Sequence, residues 1–291
     1  EDTQRKSILA AKKFRAGEQW DPALKLQRQG AQAIQGIAAQ PARPCLVVDR
    51  LSQPVRQTSN TIKNADFGFD VLPNGAGADT DTAEIYKGYM RRVHNNARGE
   101  SPVEWAADGA IEGGLGWFGL ITKHVHDDWT GDPNDPAVFD QEIIERRIVN
   151  NLGVYCDPSS LHPTRRDARF MFVTEDREKD DEKYGAMNLR GLEEFMATGD
   201  MPGWVSEDSI RIAEYWHVDF ETRTFCLLKD GTVIEKTKGG PTYPKDQIEQ
   251  ERAMRVPRVK CDIINAVEVL KSFEWVGTRI PLFPILGEEL N

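Results

Sequence analysis

The chain has 291 residues, 39% apolar and 29% charged, an ordinary balance for a globular protein with one large domain or two modest ones. Its formal net charge is −10, and no basic run is longer than a pair, Arg91-Arg92, Arg146-Arg147 and Arg165-Arg166 among them. A DNA clamp that works by neutralising phosphates needs a broad basic face, so tight DNA clamping is disfavoured, whereas a chain that lets DNA pass without gripping it can be acidic.

The first third reads as helical. Ser7 to Phe14 forms a short amphipathic piece, and Asp21-Pro22 places an N-cap before a proline at the first helical position. From Arg50 to Asn64 the residues Leu51, Val55 and Ile62 keep helical spacing, with Pro54 tolerated in the first turn. Phe67, Phe69 and Val71 alternate as a short strand would, and Leu72 to Gly77 reads as a turn. Asp79 to Thr82 supplies capping side chains for a helix with an inner stripe of Ile85, Tyr89 and Val93. Ser101-Pro102-Val103-Glu104 has the form of a capping box, and the helix it opens carries Trp105 and Ile111 and stops at Gly113-Gly114.

The remainder reads as strand-rich. Trp117 to Val125 and Phe139 to Val149 are expected to pair antiparallel around the polar loop from Asp127 to Pro136. Arg169 to Thr174 is a short apolar strand, and Asp176 to Thr198 reads as a charged helix with Leu189, Leu192 and Phe195 or Met196 inside. Ile210 to Phe220, Thr224 to Lys229, the Asp230-Gly231 hairpin turn, Thr232 to Lys236 and Met254 to Trp275 follow, with a rigid polar loop from Gly239 to Pro244. The fold class is therefore α+β, helices first and then a mainly antiparallel β region.

The four cysteines, Cys45, Cys156, Cys226 and Cys261, are far apart and form no C-x-x-C, which suits reduced, mostly buried thiols of an intracellular product. No apolar run approaches membrane-spanning length and no signal peptide opens the chain. Glu1 is not an initiator Met and Gly287 to Asn291 caps no final element, so the sequence reads as a segment of a longer protein.

Three patterns invite a chemical reading. Gly114-Leu-Gly116-Trp-Phe-Gly119 matches G-x-G-x-x-G, but a dinucleotide site needs a strand before it and a helix after it. Here a helix runs in and a strand runs out, so a phosphate would meet the wrong end of the helix dipole, and a helix-to-strand corner is the better account. His124, His126, Asp127 and Asp128 form the one metal-like cluster, and an alternative reading of the chain is a metal-dependent hydrolase built there. Two imidazoles and two loop carboxylates fall short of a shaped site, and His94, His162 and His217 sit in no matching motif. Asp180-Asp181-Glu182, near Glu175 and Asp176, alternates with basic residues as a solvated helix face does. No nucleophile elbow, Walker loop or H-E-x-x-H helix occurs, so no catalytic, cofactor-binding or metal residue is assigned.

Several segments, read in order, resemble the portal (head-to-tail connector) proteins of short-tailed phages. Phe14-Arg-Ala-Gly-Glu-Gln-Trp20 is similar to that family's F-x-x-G-x-Q-W opening. Arg43-Pro-Cys-Leu-Val-Val-Asp-Arg-Leu51 is similar to its R-P-x-L-x-x-N-R-L entry, with Asp49 in place of Asn. Ala106 to Gly119 matches its glycine-rich passage, while Val154 to Pro158 and Arg166 to Val173 resemble V-x-x-D-P and S-D-A-x-x-x-F-V. The basic Arg165-Arg166 replaces the usual small residues there. Ile210 to Trp216, the Asp230-Gly231 turn and Ile280 to Glu288 complete the series.

The resemblance implies a portal wing, with residues 1–113 as its helical part and 114–291 as its mixed α/β part. The stem and clip of that family would follow residue 291. It further implies a homo-oligomeric ring, a dodecamer, at one capsid vertex. Major capsid protein, terminase motor and tail or adaptor proteins would be its partners, with double-stranded DNA passing through the channel without tight binding and no membrane involved. Such a protein is a structural component of the virion, assembled in the host cytoplasm, and not an enzyme.

Overall fold

A computed structural model describes residues 2–29, 44–65, 68, 70–74, 79–97, 101–124, 139–178, 191, 203–206, 208–236 and 247–287. The chain order begins with α1 (Asp2–Arg15), α2 (Pro22–Gln29), α3 (Ser52–Asn64), α4 (Thr80–Asn96) and α5 (Pro102–Gly113). The strands are β1 (Leu115–His124), β2 (Gln141–Arg147), β3 (Val154–Cys156), β4 (Phe170–Glu178), β5 (Ser209–Leu228), β6 (Val233–Glu235), β7 (Ile248–Ile264), β8 (Val269–Trp275) and β9 (Leu282–Leu286). This is the α+β order expected from the sequence. Contacts divide the chain into two compact units, Glu1–Asn151 with Phe283–Asn291, and Leu152–Leu282.

In the first unit, α5 is the central helix. Beyond Pro102 in its first turn, its buried positions Ala106, Ala107, Gly109 and Ala110 are all small, which lets β1 lie close against it. The sheet has the order β2-β1-β9, with β1 and β2 antiparallel from Phe118 opposite Arg147 to His124 opposite Gln141. On another side of α5, Ser59 Oγ on α3 donates to Asp108 Oδ1 at 2.5 Å, and Lys63 Nζ stands 3.1 Å from Oδ2. From α1, Ile8 is buried in the room left by Gly113, and Arg15 pairs with Glu112.

The second unit is one long antiparallel system, ordered β3-β4-β5-β7-β8 with β6 beside β5. Strands β5 and β7 form a ribbon that stays paired from Ala213 opposite Ile264 to Leu228 opposite Ile248. Alternation sends one face inward, where Ile210, Ile212 and Trp216 meet Met171, Val259 and Cys261 in the core. Fully burying side chains of this size contributes about 1.5–3 kcal/mol each. Trp216 also meets Phe273 and Trp275 edge-on, at 5.6 and 6.1 Å between ring centroids. The opposite face carries cross-strand ion pairs: Asp219 with Lys260 at 2.8 Å, Glu221 with Arg258 at 2.8 Å, and Arg258 with Glu274 at 2.8 Å. Exposed pairs add little stability individually, but each matches one register only.

Local signals held at several junctions. Asp21 Oδ1 accepts the Ala23 amide, Asp79 Oδ2 accepts the Thr82 amide, and Gly114 ends α5 in the left-handed region at φ 82°. Gly231, at φ 84°, makes the hairpin turn between β5 and β6, with Asp230 Oδ1 accepting the Thr232 amide.

Five expectations need correction. Ser101 does not close a capping box: it sits at φ 44°, ψ 56°, and makes no side-chain cap hydrogen bond, because an N-cap hydroxyl reaches the N2 or N3 amide from an extended backbone. The stripe assigned to α4 is an inner one only at Val93, which is half-buried, since Ile85 and Tyr89 are exposed; α4 packs on β2, and its buried residue is Ala83. Asp176 to Glu178 end β4 instead of starting a helix, held by Asp176 accepting two bonds from Arg211 across the sheet at 2.7 and 3.1 Å. Ile210 to Lys229 is one unbroken strand through Leu228, because β7 supplies a partner along that length. Met254 to Trp275 is a hairpin turning at Asn265, whose Oδ1 accepts the amides of Val267 and Glu268 at 2.8 Å. Phe67, Phe69, residues 75–77 of the expected turn, the loops at 127–136 and 239–244, and the rest of the expected helix at 179–198 apart from Gly191 lie outside the described residues.

Candidate functional site

The glycine-rich passage lies at the corner where α5 runs into β1. Gly114 turns the chain with its amide on the Ala110 carbonyl at 2.7 Å, and its own carbonyl accepts the Gly287 amide at 3.0 Å. A Cβ on Gly116 would run into the Ala106 carbonyl, and one on Gly109 would run into the Asn151 carboxamide. Asn151 is buried, and its Oδ1 accepts the Trp117 amide at 3.1 Å. Each of these glycines has a packing or turning task. The helix end at the corner is the C-terminal, electronegative one, which repels an anion.

His124 is the exposed last residue of β1, opposite Gln141. His126, Asp127 and Asp128, together with Asp180, Asp181 and Glu182, lie outside the described residues. Among the described residues no group of three His, Cys, Asp or Glu side chains is arranged to hold a metal ion. Glu175 and Asp176 serve ion pairs on β4, with Arg177 at 2.7 Å and Arg211 at 2.7 Å. The four cysteines form no disulfide: Cys226 and Cys261 are in the core, and Cys45 and Cys156 are half-buried.

The other histidines have structural settings that no sequence motif signalled. His94 Nδ1 stands 3.2 Å from the buried Glu145, tying α4 to β2 across 51 residues of sequence. That pair borders a cleft of about 480 Å³ lined also by Lys63, Ser101 and Glu104. His217 lies between two carboxylates, 3.8 Å from Asp219 and 3.7 Å from Asp262, with a different ring nitrogen facing each. Two nitrogens pointing to separate carboxylates suit ion pairing and not convergence on one metal. His162 Nδ1 accepts the Thr164 amide at 3.1 Å within a loop shaped by carboxylates.

That loop, Asp157 to Arg169, is held by hydrogen bonds to its two carboxylates. Asp157 accepts from the amides of Ser159 and Arg169, at 2.9 and 3.0 Å. Asp167 accepts from Ser160 Oγ at 2.5 Å and from the amides of Leu161 and His162, at 2.8 and 3.2 Å. These donors, Ser160 first, pull the Asp167 carboxyl down to about 2. Arg165 sits at φ 53° and its Nη1 donates to the Ser160 carbonyl at 2.8 Å, so the loop pins a left-handed residue beside Arg166.

These features are architectural: a small-residue helix under a sheet, a glycine corner, a long ion-paired ribbon and a carboxylate-pinned loop. They occur in a chain whose residues 1–291 match, over the whole length, the family model for phage P22-like portal proteins, and the chain belongs to that family.

Proposed function

We propose that the chain is the wing portion of a portal subunit, which joins copies of itself into a ring, a dodecamer, at one capsid vertex. The observation that carries this reading is the family match across residues 1–291. The structural role of a phage portal component follows from membership; the channel, the partners and the subunit number are the finer proposal. In this reading the ring is the passage for DNA during packaging and ejection. It is set in major capsid protein and offers docking surfaces to the terminase motor and to tail or adaptor proteins, after assembly in the host cytoplasm. Residues 1–113 and 114–291 are proposed as the helical and mixed α/β parts of that wing.

Physical chemistry supports the assignment. A ring closes through heterologous contacts, so each copy needs two different complementary patches. The uncovered apolar residues of α4 supply material for one of them. A net charge of −10 keeps the subunit from gripping its cargo over a broad surface, and phosphate contacts that retard passage are thereby limited. The test is light scattering and electron microscopy of the complete protein. Annular particles with a mass near twelve subunits are expected; a stable monomer at high concentration overturns the reading.

A further inference from the structure

We propose that the second unit carries a phosphate-binding cleft for the backbone of double-stranded DNA, formed by Arg166, Arg169, Arg255 and Arg279. The four arginines line one cleft of about 610 Å³. All four are exposed, and no ion pair holds any of their guanidinium groups among the described residues. The neighbouring Arg211, Arg223 and Arg258 each stand on a carboxylate. In a chain with ten more acidic than basic residues, a cleft lined by four arginines that stand in no ion pair among the described residues is a local reversal of sign.

The one acidic residue in the lining is Asp167. Its oxygens are already taken by Ser160 Oγ and the amides of Leu161 and His162, so it shapes the loop and does not reach across to the arginines. Arg169 lines the cleft and also contributes to keeping Asp157 ionised through charge attraction. Two rigid supports present the cluster. The pinned left-handed Arg165 fixes the backbone before Arg166, and the Arg255 guanidinium lies over the Phe220 ring, 4.7 Å from its centroid. A guanidinium fork matches phosphate oxygens two bonds at a time, and a cluster held in place loses less freedom on binding than mobile surface lysines.

DNA is the source of phosphate that the proposed function places beside this protein, so the identity of the ligand rests on that reading; the cleft itself does not. The grip is modest by construction. Three or four phosphate contacts give a slope of about −3 in log affinity against log salt, and such binding weakens steeply towards physiological ionic strength. A passage for DNA tolerates a contact of that kind.

The test is fluorescence anisotropy of a short labelled DNA duplex titrated with the complete protein over a range of salt. Wild type is compared with the combined Arg166→Gln, Arg169→Gln, Arg255→Gln and Arg279→Gln variant, and with Arg252→Gln, an exposed arginine on β7 outside the cleft lining. The combined variant is expected to lose at least tenfold in affinity at low salt and most of the salt slope, with Arg252→Gln near wild type. Equal loss in Arg252→Gln, no loss in the combined variant, or no duplex binding by wild type overturns the site. Displacement of the duplex by polyglutamate at equal charge overturns the nucleic-acid assignment in favour of an acidic protein segment. Light scattering on the same samples reads assembly, and circular dichroism reads folding, so failure of the ring reading and failure of the cleft register separately.

Discussion

The Trp117 amide donates to the buried Oδ1 of Asn151 at 3.1 Å, across 34 residues of sequence, while the Asn151 Nδ2 fills the space that a Cβ on Gly109 would need. One side chain thus joins the start of β1 to the inner face of α5. Asn151→Ala leaves a buried N–H without its acceptor and opens a void beside Gly109. The expected loss is about 1–3 kcal/mol in urea unfolding, with an unchanged m-value. An unchanged midpoint would show that the Trp117 amide finds another acceptor.

Two glycine substitutions should move stability in opposite directions although the chemical change is the same. Gly116→Ala drives a methyl group into the backbone carbonyl of Ala106, where neither side can rotate away. A loss of about 3 kcal/mol or failure to fold is expected, since overpacking a tight backbone contact displaces whole elements. Gly88 is exposed within α4 with open space around its Cβ position. Gly88→Ala is expected to stabilise the chain by about 0.5–1 kcal/mol. Thermal unfolding of both variants in one buffer checks the pair.

The contrast shows what the amino-acid pattern could and could not disclose. Caps and turns are local chemistry, so Asp21, Asp79, Gly114 and Asp230-Gly231 were readable where they stand. Pairing partners are not local. Asp176 reads as helical by its charged neighbours, and only Arg211, 35 residues away, makes it a strand residue. The unbroken course of β5 likewise depends on β7 running beside it. Burial was the least legible quantity: Ile85 and Tyr89 have helical spacing whether or not a neighbour covers them. The Asn265 turn carries a usable local signal, an asparagine between two strand-like runs. The arginine cleft draws from three separated segments, of which only Arg165-Arg166 stood out as a basic pair.

Strong acid should weaken the hold of Asp167 on its loop. The carboxyl titrates at about 2 in the folded protein against an ordinary value of 3.8, because Ser160 Oγ and two backbone amides donate to the ionised form. A depressed folded value means that the contribution is complete above the unfolded value and is lost as pH falls through the folded one. The stability difference between wild type and Asp167→Asn is therefore expected to stay constant above about pH 4 and to shrink between about pH 4 and 2. Urea unfolding of both proteins at stepped pH measures it. A difference that does not change across that interval would remove the carboxylate from its place as the anchor of the loop.

The uncovered side of α4 separates folding from assembly. Ile85, Tyr86, Tyr89 and Met90 are 71%, 60%, 42% and 44% exposed, and they lie at positions i, i+1, i+4 and i+5, which form one helix face. Such a patch raises no folding barrier when made polar, because it buries little within the chain. Ile85→Glu is expected to change the unfolding free energy by less than about 0.5 kcal/mol, the range of ordinary surface substitutions. If the face meets a neighbouring copy, the same substitution places a charge without a partner in an apolar contact, and the annular particles should be lost or greatly reduced in light scattering. Tyr89→Phe, which keeps the ring area, should retain them. Rings that form normally in Ile85→Glu would assign this face to something other than subunit contact. Normal stability combined with lost assembly can come only from a surface that matters between copies, because a defect in folding would have moved both readings together.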